Sequence, residues 1–270
     1  PIHAAAEMEL LGTQTPWRVH LQMGPLLRAK DGKLLGDGRT VDFGNPQSQK
    51  EWAAKCSPAA PADWHGLDFD DSDWGRYQTH NLCELAGGYG GSADPRSGCR
   101  TRLCLRACFG VSGSAAGEDL TLEIAYLGGV LVYLNGREVA RNHVSAGNLD
   151  GFSLAEPYPL EAYVTENGTT PLPTLRGGTH TGYPFRTPDP KWQDRYEKRV
   201  RRARLRLPKE TLVKGRNVLA LDLRHAAVSG TLGRDVWNHV GLHAVRLVGT
   251  QGSGVVSWVE AQRQTYIWNV

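Results

Sequence analysis

Apolar and polar residues alternate one by one in several short runs of this chain, the signature of β-strands with one face in a core. Trp17-Arg18-Val19-His20-Leu21-Gln22-Met23 is the first such run. In Arg102-Leu103-Cys104-Leu105-Arg106-Ala107-Cys108-Phe109, Leu103, Leu105 and Ala107 share one face, and Cys104 and Cys108 share the other with Arg102 and Arg106. The same pattern predicts strands near 101–111, 119–126, 129–134, 138–140, 203–207, 217–223 and 243–248, with a further one near 255–259. Asn135-Gly136, set between Leu131-Val132-Tyr133-Leu134 and Arg137-Glu138-Val139-Ala140, predicts a tight two-residue hairpin, because both positions tolerate positive φ.

Between the strands, residues up to about 14 read as a polar lead, 36–62 as a loop-rich insertion, 63–74 as an acidic turn and 83–98 as a glycine-rich loop. The stretch 142–197 is irregular, rich in Gly, Pro, Thr and Asn, yet it carries Tyr158, Tyr163, His180, Tyr183, Phe185, Trp192 and Tyr196. So many aromatic residues argue against disorder, and a loop this long in a folded domain is normally functional. Helix is weakly specified: one short helix after Pro190, within 189–199, and one turn within 208–213. The expected organisation is a lead over 1–16, a β-sandwich over 17–250 with an insertion at about 142–197, and a strand or linker over 251–270. The run Gln264-Thr265-Tyr266-Ile267-Trp268-Asn269-Val270 reads as the start of a connection to further domains.

Composition narrows the function classes. With 32 Gly and 15 Pro in 270 residues the chain is turn-rich but neither collagenous nor of low complexity. The net charge of +3 is modest, and the basic residues cluster in one place, Lys198 to Leu207. From Val200 onward that cluster alternates imperfectly, which predicts a strand with one wet face; binding of an acidic polysaccharide or another polyanion is the competing reading. No phosphate-binding loop, helix-turn-helix pattern or RNA-binding aromatic signature accompanies it, so nucleic acid is not expected. No run of about eighteen apolar residues exists, so no membrane span is expected.

The five cysteines are Cys56, Cys83, Cys99, Cys104 and Cys108, an odd number. Cys104 and Cys108 lie too far apart along one strand to bridge each other without a bulge, and no Cys-x-x-Cys knuckle suggests zinc. Buried free thiols are the first reading, and a Cys83–Cys99 or Cys56–Cys99 bridge the second.

Three motifs, in order, resemble the galactose-binding-like jelly roll. They are Phe69-Asp70-Asp71-Ser72-Asp73-Trp74, the Asn135-Gly136 hairpin, and Leu212-Val213-Lys214-Gly215-Arg216-Asn217-Val218-Leu219-Ala220-Leu221-Asp222-Leu223. A weaker match is Gly233-Arg234-Asp235-Val236-Trp237 ahead of the strand His243 to Val248. That fold serves as a carbohydrate-binding module and as the sugar-binding domain of β-galactosidase-type glycoside hydrolases. The resemblance spans roughly Trp17 to Val248. It implies an all-β galactose-binding-like β-sandwich (jelly roll) with long loop insertions. It further implies a non-catalytic carbohydrate-binding module of an exported (extracellular or periplasmic), multidomain glycan-active protein. Its partners would be a polysaccharide or oligosaccharide and further domains of the same chain. The alternative is an architectural or protein–protein interaction domain that positions a neighbouring catalytic domain.

Catalytic chemistry finds little support. Gly252-Ser253-Gly254 is a degenerate nucleophile motif without the strand-to-helix elbow. Of the histidines only His239 and His243 share metal-ligand spacing, and no third ligand is evident. Asp68, Asp70, Asp71 and Asp73 invite a paired-carboxylate glycosidase reading, but in the resembling domains this cluster is a strand-capping turn. Such jelly rolls often carry a structural ion, and these oxygens suit calcium, so structural calcium is the one cofactor expected. Sugar recognition needs aromatic faces and hydrogen-bonding groups on loops at one end of a rigid scaffold. The resemblance places the loop after the hairpin beside the loop after the late strand. That brings Asn142, His143 and Asn148 toward Arg224, His225, Trp237 and Asn238. The insertion would lay Tyr183, Arg186 and Trp192 over the same end. Trp17, Trp64 and Trp74 are assigned to the core.

Overall fold

Side chains alternate between two faces along the strands as the sequence pattern requires: Leu103, Leu105, Ala107, Phe109 and Val111 all point into one core. A computed structural model describes residues 7–12, 14–24, 27–30, 33–36, 39–41, 45–77, 99–111, 120–147, 149, 153–173, 189–229, 240–250 and 255–257. In chain order these form β1 (Glu7–Leu11), β2 (Trp17–Gly24), β3 (Leu27–Lys30), β4 (Lys33–Gly36), β5 (Arg39–Val41) and α1 (Pro46–Ala53). Next come β6 (Gly75–Tyr77), β7 (Cys99–Val111), β8 (Leu120–Leu127), β9 (Gly129–Leu134) and β10 (Arg137–Asn142). A 3₁₀ turn (Pro190–Trp192) leads into α2 (Gln193–Glu197). The last elements are β11 (Arg201–Leu207), β12 (Gly215–Arg224), β13 (Val228–Ser229), β14 (Gly241–Thr250) and β15 (Val255–Ser257).

The chain is a β-sandwich. One sheet has the order β1-β14-β8-β11, and the other β10-β9-β12-β7-β2-β6, with β15 also pairing with β7. A small third sheet runs β13-β3-β4-β5. Both large sheets contribute to the main core: Trp17, Val132, Leu221 and Phe109 from one face Leu122, Tyr126, Leu207 and Leu247 from the other. The opposite face of β7 carries Cys104 and Cys108, as the strand parity predicts. It forms a second cluster with Val218, Ala220 and Trp64.

Arg106 organises the loop over that second face. Its guanidinium donates to the carbonyls of Trp64, Gly66 (2.8 Å) and Phe69 (3.4 Å) and pairs with Asp71 at 2.7 Å. Arg18 on the neighbouring strand donates to Trp74 O (2.9 Å) and stands 3.4 Å from Asp71. Five loop groups thus converge on two buried or half-buried cations that the sheet supplies.

Several expectations need correction. The polar lead holds a strand, β1, with Leu10 and Leu11 buried against β14. The loop-rich insertion at 36–62 contains α1, capped by Asn45 Oδ1 accepting from Gln47 N and started by Pro46 at its first turn. Trp52 of this helix is buried. Trp74 is only half-buried, packed on Trp64 with ring centroids 5.8 Å apart, rather than inside the main core. Cys56, Cys104 and Cys108 are free thiols, so no Cys56–Cys99 bridge is formed in this structure. Cys83 and the glycine-rich loop lie outside the described residues.

On the outer face of the four-stranded sheet, Arg204 faces Glu123 (3.3 Å), and Arg246 reaches Glu123 (3.5 Å), Glu7 (2.9 Å) and Glu9 (3.5 Å). β11 is an edge strand with one wet face, on which Arg202 pairs with Glu197 (2.9 Å) and Arg204 with Glu123, in line with the first of its two sequence readings.

Candidate functional site

The ends of β10, β12 and β7 meet at one end of the sandwich. Register pairs Asn142 with Val130, Arg224 with Gly129, and Arg224 with Arg102. Beyond them runs a strap, residues 153–164, that crosses this end. Glu156 N donates to His143 O and Ala155 N to His225 O, each at 2.9 Å. Asn142, His143, Arg224 and His225 are thereby brought together, as the motif order implied.

His143 is held in the left-handed region (φ 56°), rare for a residue with a side chain. Its Nδ1 lies 3.0 Å from the Tyr126 hydroxyl, which Asn142 also meets by a side-chain hydrogen bond. Burial, and then the neighbouring Arg201 charge, hold the His143 imidazole below its ordinary pKa. Burial pushes the Tyr126 hydroxyl up to about 12. Backbone strain of this kind persists only where surrounding contacts over-determine it, and it concentrates at binding sites.

Arg201 pins the strap. It donates to Gly128 O (2.9 Å), Glu156 O (2.9 Å) and Pro157 O (3.1 Å), and its guanidinium lies 4.3 Å over the Tyr158 ring. Tyr158 in turn accepts from Gly128 N. Gly128 sits at φ +90°, and a Cβ there would stand 2.0 Å from Arg224 O, so only glycine fits.

Beneath the strap lies a buried charge cluster. Asp222 is fully buried and accepts from Arg102 Nε (2.7 Å) and Nη2 (2.8 Å), and from Arg224 Nε (3.2 Å) and Nη2 (2.9 Å). Arg224 Nη1 donates to Ser153 O (3.2 Å). Burial alone would raise the Asp222 carboxyl, but the hydrogen bonds and charges of Arg102 and Arg224 outweigh it and hold the group below its ordinary value. Asp222 is thus an ionised structural anchor, unsuited to donating a proton near neutral pH.

The predicted residues divide by exposure. Asn142 and His143 are half-buried, while Arg224 and His225 are buried under the strap. Trp192 stands apart from them, buried with Leu172, Tyr196 and Val200 against Ala125 and Leu127 of β8, and flanked by Lys191 and Arg195. Asn148, Tyr183, Arg186, Trp237 and Asn238 lie outside the described residues. Asp70 Oδ1 accepts from Ser72 N (3.0 Å), Asp71 is taken by Arg106 and Arg18, and Asp68 and Asp73 are exposed. Among the described residues no group of three or more His, Cys, Asp or Glu could hold a metal ion.

Sequence reasoning missed Asp222, Arg102, Tyr126 and Arg201. The available signal was a lone carboxylate inside the apolar run Val218 to Leu223, since a buried charge needs a partner. What the half-buried part of this end can do chemically is donate and accept hydrogen bonds from a fixed frame.

No family model matches the chain, and no curated protein matches it. Solved structures similar to it include a β-glycosidase from Bacteroides vulgatus (12% identity, 90% of this chain and 20% of that one, TM-score 0.41). Two others are a glycosyl hydrolase family 2 member from Bacteroides cellulosilyticus (10%, 90% and 20%, 0.42) and a β-glucuronidase from Bacteroides uniformis (9%, 91% and 18%, 0.43). The chain spans about a fifth of the length of these glycosidases.

Proposed function

We propose that this chain is a non-catalytic accessory domain of an exported, multidomain glycan-active protein, and that it recognises carbohydrate at the Asn142–His143 end. The observation that carries this reading is the convergence of Asn142, His143, Arg224 and His225 from separate strands around one strap. His143 is locked by its Tyr126 bond and its positive φ. Rigidly held amide and imidazole groups on a β-scaffold match what recognition of sugar hydroxyls requires. The motif resemblance to sugar-binding jelly rolls supports the same reading. Glycan-array binding by the isolated chain tests it, with His143→Ala and Asn142→Ala as companions. Loss of array binding in both variants, with the fold retained by circular dichroism, is the expected result; an array with no signal for the parent chain sinks the reading.

A second reading has its own observation behind it. Arg224, His225 and Trp192, three of the residues expected to touch sugar, are buried and spent on internal contacts. That favours an architectural domain positioning a neighbouring catalytic domain. Co-purification of the chain with the remainder of its parent protein, together with a blank array, would select it.

A further inference from the structure

The turn that follows the strap is closed on itself and faces solvent. Val164 bridges to Pro171, Thr165 N donates to Thr170 O (2.8 Å), and Gly168 N donates to Thr165 O (3.0 Å). Residues 166–170 are all exposed. At the tip, Asn167 Oδ1 accepts from Thr169 N (3.0 Å), Thr170 N (2.9 Å) and the hydroxyls of Thr165 (3.0 Å) and Thr169 (3.3 Å). Asn167 Nδ2 donates to Thr170 Oγ1 (2.7 Å), its one bond among the described residues. Gly168 beside it stands at φ +74°, with nothing within 4 Å of where a Cβ would point. Asn167-Gly168-Thr169 is also the one place in the sequence where an asparagine is followed, two residues on, by serine or threonine. That triplet is the acceptor pattern for an N-linked glycan. Asn135-Gly136, the other Asn-Gly step, ends in Arg137 and has its amide spent on Asn217 and Thr211.

We propose that Asn167 is a glycan attachment site, taking an oligosaccharide from a lipid-pyrophosphate donor. The Asn167 Nδ2 forms the new bond to the first sugar carbon, the lipid pyrophosphate leaves with the bonding pair, and one amide proton passes to solvent. The product keeps Oδ1 and one N–H, so the four bonds that Oδ1 accepts and the one that Nδ2 donates all have their atoms afterwards. The folded turn therefore accommodates the glycan without giving up its own hydrogen bonds. A bulky, hydrated glycan at this tip holds the turn in solvent, so neighbouring domains of the parent protein would dock on other faces. Such a transfer needs export, and to that extent it rests on the reading above; carbohydrate recognition at the Asn142–His143 end is independent of it.

The test is secretion of the full chain from a eukaryotic cell line behind a signal peptide, followed by intact mass and peptide mapping before and after peptide N-glycosidase. The parent chain should carry a glycosidase-sensitive mass on the peptide that holds Asn167. Thr169→Ser keeps the hydroxyl and should keep the glycan, whereas Asn167→Gln and Thr169→Ala should lose it, with all four proteins folded by circular dichroism. A secreted, folded parent chain without the added mass, or a glycan that persists in Asn167→Gln, overturns the proposal. Glycan-array binding by the same proteins reports on recognition alone: a blank array with Asn167 occupied sinks the recognition reading and leaves the attachment site standing.

Discussion

Asn135 and Asn217, 82 positions apart in sequence, are joined side chain to side chain: Asn135 Nδ2 donates to Asn217 Oδ1 across 2.8 Å. Asn135 Oδ1 also accepts from Val218 N (2.8 Å), and Asn217 Nδ2 donates to Val213 O (2.8 Å) and Gly215 O (3.1 Å). Two of the sequence motifs thus meet through their asparagines, the hairpin at its left-handed turn and the late strand at its lead-in. Asn217 is fully buried, so each of these groups would otherwise be an unpaired polar atom. Asn217→Ala should cost about 1–3 kcal/mol of stability by urea unfolding. Asn135→Ala should cost a similar amount, and the double variant clearly less than the sum, because the pair shares its partners.

Arg106→Met should free the acidic turn while keeping the bulk of the side chain. It strips a buried cation from Asp71 and from the Trp64, Gly66 and Phe69 carbonyls, at a cost of about 3–5 kcal/mol. Tryptophan fluorescence should shift red as the Trp64–Trp74 stack opens. In the parent chain the turn already has two guanidinium partners, so chelating calcium should leave Tm unchanged; a chelator-sensitive Tm would assign an ion to the exposed Asp68 and Asp73.

Trp192→Ala should act on the fold rather than on a ligand. The ring is buried between the insertion and β8, and removing it should cost about 3–5 kcal/mol. The measurement is chemical unfolding alongside glycan binding. Unaltered stability with lost binding would return Trp192 to the role that the sequence alone suggested for it.

His143 gives the chain a defined acid response. Its folded pKa lies below the ordinary value, so the unfolded state takes up protons first as pH falls. Stability contributed by the neutral imidazole is fully present above the unfolded value of about 6.5 and declines as pH drops toward the folded one. Tm followed from pH 8 to pH 5 should fall more steeply in the parent chain than in His143→Asn, which tolerates positive φ and does not titrate. Parallel curves would remove His143 as a source of that slope.

What could be read from the sequence followed the physics of one-sided strands. Trp17–Gly24 and Cys99–Val111 alternate in sequence because one face meets the main core and the other, on β7, a second, smaller cluster that carries Cys104 and Cys108 beside Arg106. β1 escaped because its alternating run, Glu7 to Leu10, is only four residues long, and its bulge between Glu9 and Leu11 breaks the alternation. α1 escaped although Asn45-Pro46 is a good capping signal, since its few turns carry one large apolar residue, Trp52. That Asn142 and His143 lie at the same end as Arg224 and His225 was implied by the resemblance of the motifs to a jelly roll. The burial of Arg224 was not, because it depends on Ser153, 71 positions away, folding back over it. Trp192 shows the same limit: an aromatic residue in an insertion looks alike whether it faces a sugar or a sheet.

The pairing of β1 with β14 sets an order of events during synthesis. The contact between Glu7 and Arg246 joins positions 239 apart. A chain made from its N-terminus holds Glu7–Leu11 without its partner strand until Gly241–Thr250 has been added. At ribosomal speeds that wait lasts roughly tens of seconds. Throughout it Leu10 and Leu11 have no partner strand to lie against, and a strand made ahead of the rest of its sheet is among the last to find its place.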